Sequence, residues 1–194
     1  PIRKYRCSRT VLVNIIDLMP IITGMPAGLK QSSSTVAIGF SVDESAVDTF
    51  TQGSVDLNLS PLDREVFVVT AINLDPLAPD AIAGKDTQTN SSITTTSQTA
   101  VATLANANCL ATANLDIRAS GFSDSGVSFT RMGAESPPAT LDYIGIIATN
   151  DFFVQIKGTN NNAAKSVFGK VYGYRAQASA DIYAALVQSE VLSA

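Results

Sequence analysis

The sequence predicts an all-β protein: one antiparallel β-sandwich or jelly roll of about eight strands, with an extended N-terminal arm and a short C-terminal helix. Three observations lead there. Apolar and polar residues alternate with period two along most of the chain. Gly, Pro, Asn and Asp fall between the alternating runs, and only one segment carries a clear helical pattern.

The elements follow in order. Residues 1–30 form a basic then apolar arm, and residues 31–194 form the sandwich. Val36, Ile38, Phe40 and Val42 alternate with small or polar residues, as do Val55, Leu57 and Leu59. Val66-Phe67-Val68-Val69-Thr70-Ala71-Ile72 is apolar on both faces, which predicts a central strand. Leu115 to Ala119 and Val127 to Thr130 alternate again. Leu141 to Ala148, Phe152 to Lys157 and Ser166 to Arg175 are rich in β-branched and aromatic residues. Asn150-Asp151 reads as a hairpin turn between two of these runs. Ser179 to Leu192 is the helix, placed at residues 179–193, with Ser179 as N-cap, Asp181 in the first turn, and Ile182, Leu186 and Val187 facing inward. Clustered alanines predict a second, weaker helix over Gln98 to Ala107.

Residues 87–115 read as an uncharged Ser/Thr/Ala/Asn-rich insertion: 29 positions without a charge, and ten Ser or Thr among the 17 residues from Thr87 to Thr103. If ordered, those hydroxyls and amides need partners. Burial, or contact with another subunit, supplies them without desolvating charge. Thr94, Thr96, Val101 and Leu104 are the candidate interface residues of this stretch.

Composition narrows the function. Hydrophobic residues make up 45% and charged residues 15%, below the roughly 25% of an average domain, so neither disorder nor a highly charged surface is expected. At 194 residues one domain can bury roughly 70% of its unfolded surface, enough for a core without staples. No run of about 18 apolar, uncharged residues is present to span a membrane as a helix. Cys7 and Cys109 read as partly buried free thiols, not a bridge.

The sequence contains no histidine, which excludes every His-dependent triad and every His-ligated metal site. Gly84-Lys85-Asp86-Thr87 lacks the rest of a phosphate loop, and no GxGxxG or GxSxG occurs. Asp43, Glu44 and Asp48, and Asp63 with Glu65, are the only carboxylate groupings that suggest acid–base work. Their place at strand edges predicts solvated charge instead. Asp75, Asp80 and Asp86 carry the oxygens that calcium takes, without EF-hand spacing, and turn formation beside proline is the commoner role. No cofactor and no enzymatic activity are expected. Phe168, Tyr172 and Tyr174, with Lys170, share one strand face and read as packing residues.

Charge is unevenly placed. Arg3, Lys4, Arg6 and Arg9 lie in nine residues without an acid, so the net −4 divides into +4 in the arm and −8 in the remaining 185 residues. Such an arm suits phosphate contact, and equally a solvated or subunit-contacting tail. Behind it, Val11, Val13, Ile15 and Ile16 are candidates for packing on a neighbouring subunit; Asp17 and Pro20 interrupt the run in a way unlike a secretory signal. Pro1 is a residue type left when an initiator Met is removed, which predicts that the chain starts there.

This combination resembles small virion structural proteins, in particular single jelly-roll capsid proteins of icosahedral viruses. It is carried by Pro1-Ile2-Arg3-Lys4-Tyr5-Arg6 ahead of an all-β body, and by hydroxyl-rich uncharged loops such as Thr94-Thr95-Thr96-Ser97-Gln98-Thr99. The resemblance implies a large homo-oligomer in a virion assembled in a host cell. It also implies arms exchanged between neighbours, a basic end facing the viral genome, and room for contact with other virion proteins. The alternatives are a tail-tube, decoration or surface-layer protein, and a β-sandwich carbohydrate-binding or adhesin module.

Overall fold

The computed structural model describes residues 25–123, 126–133 and 141–192. The expected arm therefore lies outside the described residues as far as position 24. The elements in chain order are β1 (Leu29–Gln31), β2 (Val36–Asp43), β3 (Thr51–Asp56), β4 (Glu65–Pro76), β5 (Thr87–Thr94), β6 (Cys109–Arg118), β7 (Val127–Gly133), β8 (Gly145–Ile147), β9 (Asp151–Thr159), β10 (Ser166–Ala178) and α1 (Ala180–Leu192).

The strands form two sheets. In the first, β10 has β1 and β2 along one side and β4 along the other, with β8 beyond β4. The second runs β3-β9-β5-β6-β7. One operation generates both. The leading run β2 to β5 doubles back into β6, and each leading strand pairs antiparallel with a returning one: β5 with β6, β4 with β8, β3 with β9, β2 with β10. Rolling that ribbon sets β4 beside β10 and β5 beside β9. This is the jelly-roll arrangement, with β1 and β7 added to its eight strands.

The period-two patterns explain which faces meet. Phe67, Val69, Ile72, Leu74, Val167 and Val171 from the first sheet pack against Ile93, Ala113, Phe152, Val154 and Ile156 from the second. Each fully buried large side chain contributes about 1.5–3 kcal/mol. Phe40 meets Phe152 edge-on, with ring centroids 5.9 Å apart and planes at 77°.

The doubly apolar run in β4 has a second cause. Val66 and Val68 point away from the sandwich, into a smaller cluster with Tyr174, Ala176 and Ala178 that Ile182, Tyr183, Leu186 and Val187 of α1 cover. Inward parity on β4 changes between Val69 and Ile72 because of a β-bulge: β10 steps from Ala71 at Tyr172 to Val69 at Gly173, leaving Thr70 unpaired. The Thr70 hydroxyl donates to the Tyr172 carbonyl at 3.1 Å and satisfies the interrupted ladder. At Gly173 a Cβ would press into the Val68 carbonyl oxygen and the Phe67 ring.

Four expectations need correction. Residues 87–115 are no insertion: they supply β5 and most of β6, two interior strands of the second sheet. Gln98 to Ala107 is not helical. Its side chains bond the backbone in turn geometries that compete with a helix, with Gln98 Nε2 donating to the Thr96 carbonyl and Asn106 Oδ1 accepting from Asn108 N–H. Asn150-Asp151 does not close a hairpin, because β8 pairs with β4 in one sheet and β9 pairs with β3 and β5 in the other. Asn150 instead anchors this crossing, accepting from Leu57 N–H on its carbonyl and from Leu59 N–H on Oδ1, both at 2.7 Å. Of Leu141 to Ala148, only Gly145–Ile147 is strand.

Substituting Gly173→Ala therefore destabilises the fold by more than about 2 kcal/mol, since the added methyl meets backbone on a buried strand. Urea denaturation followed by circular dichroism measures it.

Candidate functional site

The carboxylates are the natural place to look for chemistry, and their partners are backbone amides. Glu44 is 6% exposed. One of its oxygens accepts from Gly158 N–H and the other from Lys165 N–H at 2.8 Å. Asp48 accepts from Asn161 N–H at 3.1 Å. Asp80 holds the Lys165 ammonium at 2.6 Å and accepts from the N–H groups of Asn162 and Ala163. Asn161 completes the knot, donating to the Gln88 carbonyl and accepting from Asp80 N–H. Asp86 accepts from Ala119 and Ser120 N–H, both at 2.9 Å. The loops β2–β3, β4–β5, β6–β7 and β9–β10 are thus laced together at one end of the sandwich.

Lys165, then the Asn162 amide, hold the Asp80 carboxyl below the usual carboxylate range, and the Ser120 amide is the main cause of a similar lowering at Asp86. Glu44 departs from the solvated strand-edge charge expected of it: it is buried on loop amides. Asp63 accepts from the Ser60 hydroxyl and Glu65 from Ser60 N–H. Asp75 pairs in the β4–β10 ladder, apart from Asp80 and Asp86 in the loop knot, and among the described residues no three His, Cys, Asp or Glu side chains converge as a metal site would require. Cys109 is a half-buried free thiol, raised in pKa by that burial; Cys7 lies outside the described residues.

The hydroxyl-rich stretch forms a second network. Thr94 is fully buried; its hydroxyl donates to the Thr96 carbonyl at 2.7 Å and accepts from Gln155 Nε2 at 2.6 Å. Ser92 donates to Gln155 Oε1, and Gln155 also donates to Gln52. The Thr96 hydroxyl accepts from Asn108 and Gln98. Thr94 and Thr96 therefore serve this chain's own interior. Val101 is half-buried and Leu104 is 59% exposed; both line a cleft on the outer face of β5 and β6. The other expected contact residues, Arg3, Lys4, Arg6, Arg9, Val11, Val13, Ile15 and Ile16, lie outside the described residues.

A surface that sequence reading missed is β7. Among the described residues the first sheet has no strand matching it, so β7 overhangs, and residues 127–131 are exposed on both faces. Phe129 is 51% exposed, and Phe122, Val127 and Leu141 are similarly open. Val127–Phe129 alternation was the available signal, but it points outward: these residues sit opposite Arg118 and Asp116. Exposed apolar side chains on an edge strand are a feature that soluble monomers ordinarily blunt. On the outer face of the first sheet, Tyr174 is buried under α1, while Phe168 and Lys170 are exposed.

No protein-family model matches the chain, and no curated protein or solved structure is significantly similar to it.

The lowered Asp80 and Asp86 carboxyls contribute stability that is complete above their unfolded pKa, about 3.9, and is lost as pH falls through their lower folded values. Melting temperature should fall below about pH 4. Asp80→Asn should lower it at neutral pH and flatten that acid limb, as read by thermal melts across pH.

Proposed function

We propose that this protein is a structural, self-assembling subunit of a virion shell, acting as many copies of itself and not as an enzyme. The observation that carries the reading is the jelly-roll strand order combined with an overhanging apolar edge at β7. A sandwich whose described residues leave apolar side chains open on an edge strand suits a repeating unit, because a neighbour's surface would remove that area from water at roughly 25 cal/mol per Å². Four further features go with it. The carboxylates are occupied in holding loops together. The sequence lacks histidine, and the arm pairs four cations with an apolar run. No helix among the described residues is long and apolar enough to cross a membrane.

In this reading Arg3, Lys4, Arg6 and Arg9 face the genome, and Val11, Val13, Ile15 and Ile16 pack on a neighbouring copy. The arm's contribution to nucleic-acid affinity is electrostatic, independent of base sequence and sensitive to salt.

Size-exclusion chromatography with light scattering tests the assembly. The full chain should elute as a particle of many copies, and deletion of residues 1–22 should shift its mass. A full-length chain that stays monomeric at high concentration contradicts the reading. Replacing Arg3, Lys4, Arg6 and Arg9 by Ala should lower nucleic-acid retention and reduce the salt slope by roughly 0.7–0.9 for each phosphate that is no longer neutralised. Equal packaging by that variant would remove the genome-facing role.

A further inference from the structure

The outer face of the second sheet carries a cleft of about 470 Å³, a volume typical of small-ligand sites. Its floor is built by register. Asn90 of β5 stands opposite Asn114 of β6, which stands opposite Arg131 of β7. The three heads form a row across neighbouring strands, spaced by about 4.8 Å per strand. Gln88 and Thr112 extend the floor on the same face. One wall is the segment carrying Val101 and Leu104, fixed in place where Ala102 N–H donates to the buried Ser92 hydroxyl at 3.0 Å.

Two properties define what such a cleft accepts. Its polar heads are unspent: among the described residues Asn114 and Thr112 make no side-chain hydrogen bond, and Asn90 touches only Gln88, at a long 3.5 Å. Amides each offer donors and acceptors, so together they can meet hydroxyls that do both. Its charge is cancelled, because Arg131 is bonded at 2.8 Å to Asp116, itself almost fully buried. That arrangement favours a neutral ligand dense in hydroxyls. The apolar wall offers a surface for the C–H face of a sugar ring.

We infer that this cleft is a binding site for neutral glycans, with Asn90, Asn114 and Arg131 reading ring hydroxyls and Leu104 packing against the ring. The inference does not rest on the assembly reading. A glycan-binding monomer would remove the shell and keep the cleft, and a particle that binds no glycan would do the reverse.

The test uses the full-length protein on an array of neutral hexose and N-acetylhexosamine oligosaccharides, with sialylated and sulfated glycans as comparison arms. Saturable binding to neutral glycans, insensitive to salt, is expected. Asn114→Ala and Asn90→Ala should each weaken it by roughly tenfold while leaving the thermal melt in place. Leu104→Asp, on the exposed wall, should weaken it also, and Lys170→Ala on the opposite sheet should not. Three results overturn the inference: no saturable binding by the parent chain, salt-sensitive binding confined to charged glycans, or Asn90 and Asn114 variants that alter particle size and not glycan retention. The last would mean that a neighbouring copy fills the cleft.

Discussion

The structure depends on where β10 lies. This last strand is the middle of the first sheet, bonded to β1 and β2 on one side and β4 on the other. Without it β2 and β4 have no common partner, and α1, which follows directly, has no seat. The bonds that build the sheet join residues far apart in the chain, such as Val36 with Gly173 and Phe67 with Ile147. Such pairing costs loop-closure entropy before it returns contact energy, which places this fold among the slow ones. The bulge at Thr70 and the side-chain-free Gly173 are the local adjustments that let β4 and β10 run together while serving the sandwich core on one face and α1 on the other.

A second constraint is polar satisfaction in a charge-poor chain. Buried hydroxyls and amides outnumber buried ions among the described residues, and the structure resolves this with two networks. Around Gln155, side chains bond one another beneath the β5–β6 connection. Around Glu44, Asp80 and Asn161, carboxylates and an amide cap loop N–H groups at one end of the roll. Removing one partner from either network leaves a buried polar group unmet, at about 1–3 kcal/mol. Glu190 plays a comparable part for α1, accepting from the N–H groups of Ala148 and Thr149 at 3.0 Å; burial raises its pKa, so its contribution is complete at low pH and declines as pH rises.

What the sequence made legible was what is local and periodic. Period-two alternation marked β2 and the last residues of β6, β-branched and aromatic content marked β10, and the fading apolar stripe after Ser179 marked α1 with its inward residues Ile182, Leu186 and Val187. Partner choice was not legible. Asn150-Asp151 has hairpin chemistry, yet the strands on either side of it answer to different sheets. The alanines of residues 98–107 carry helix propensity, but Gln98, Asn106 and Asn108 found better bonds in turns. The count of hydroxyls over residues 87–115 could say that they need partners, and not that Thr94 and Thr96 find them within the same chain. The row Asn90, Asn114 and Arg131 exists only through register, which no single strand encodes.

Among its described residues the molecule spends Glu44, Asp80 and Asp86 on loop N–H groups, gathers buried hydroxyls around Gln155, and exposes Val127 and Phe129 on the edge strand β7. The proposed role as a many-copy structural subunit rests on these features together with the jelly-roll strand order. Negative-stain electron microscopy of the purified full-length chain tests that conclusion most directly. Closed particles of uniform diameter are the predicted result, and a field of single 194-residue monomers at high protein concentration would contradict it.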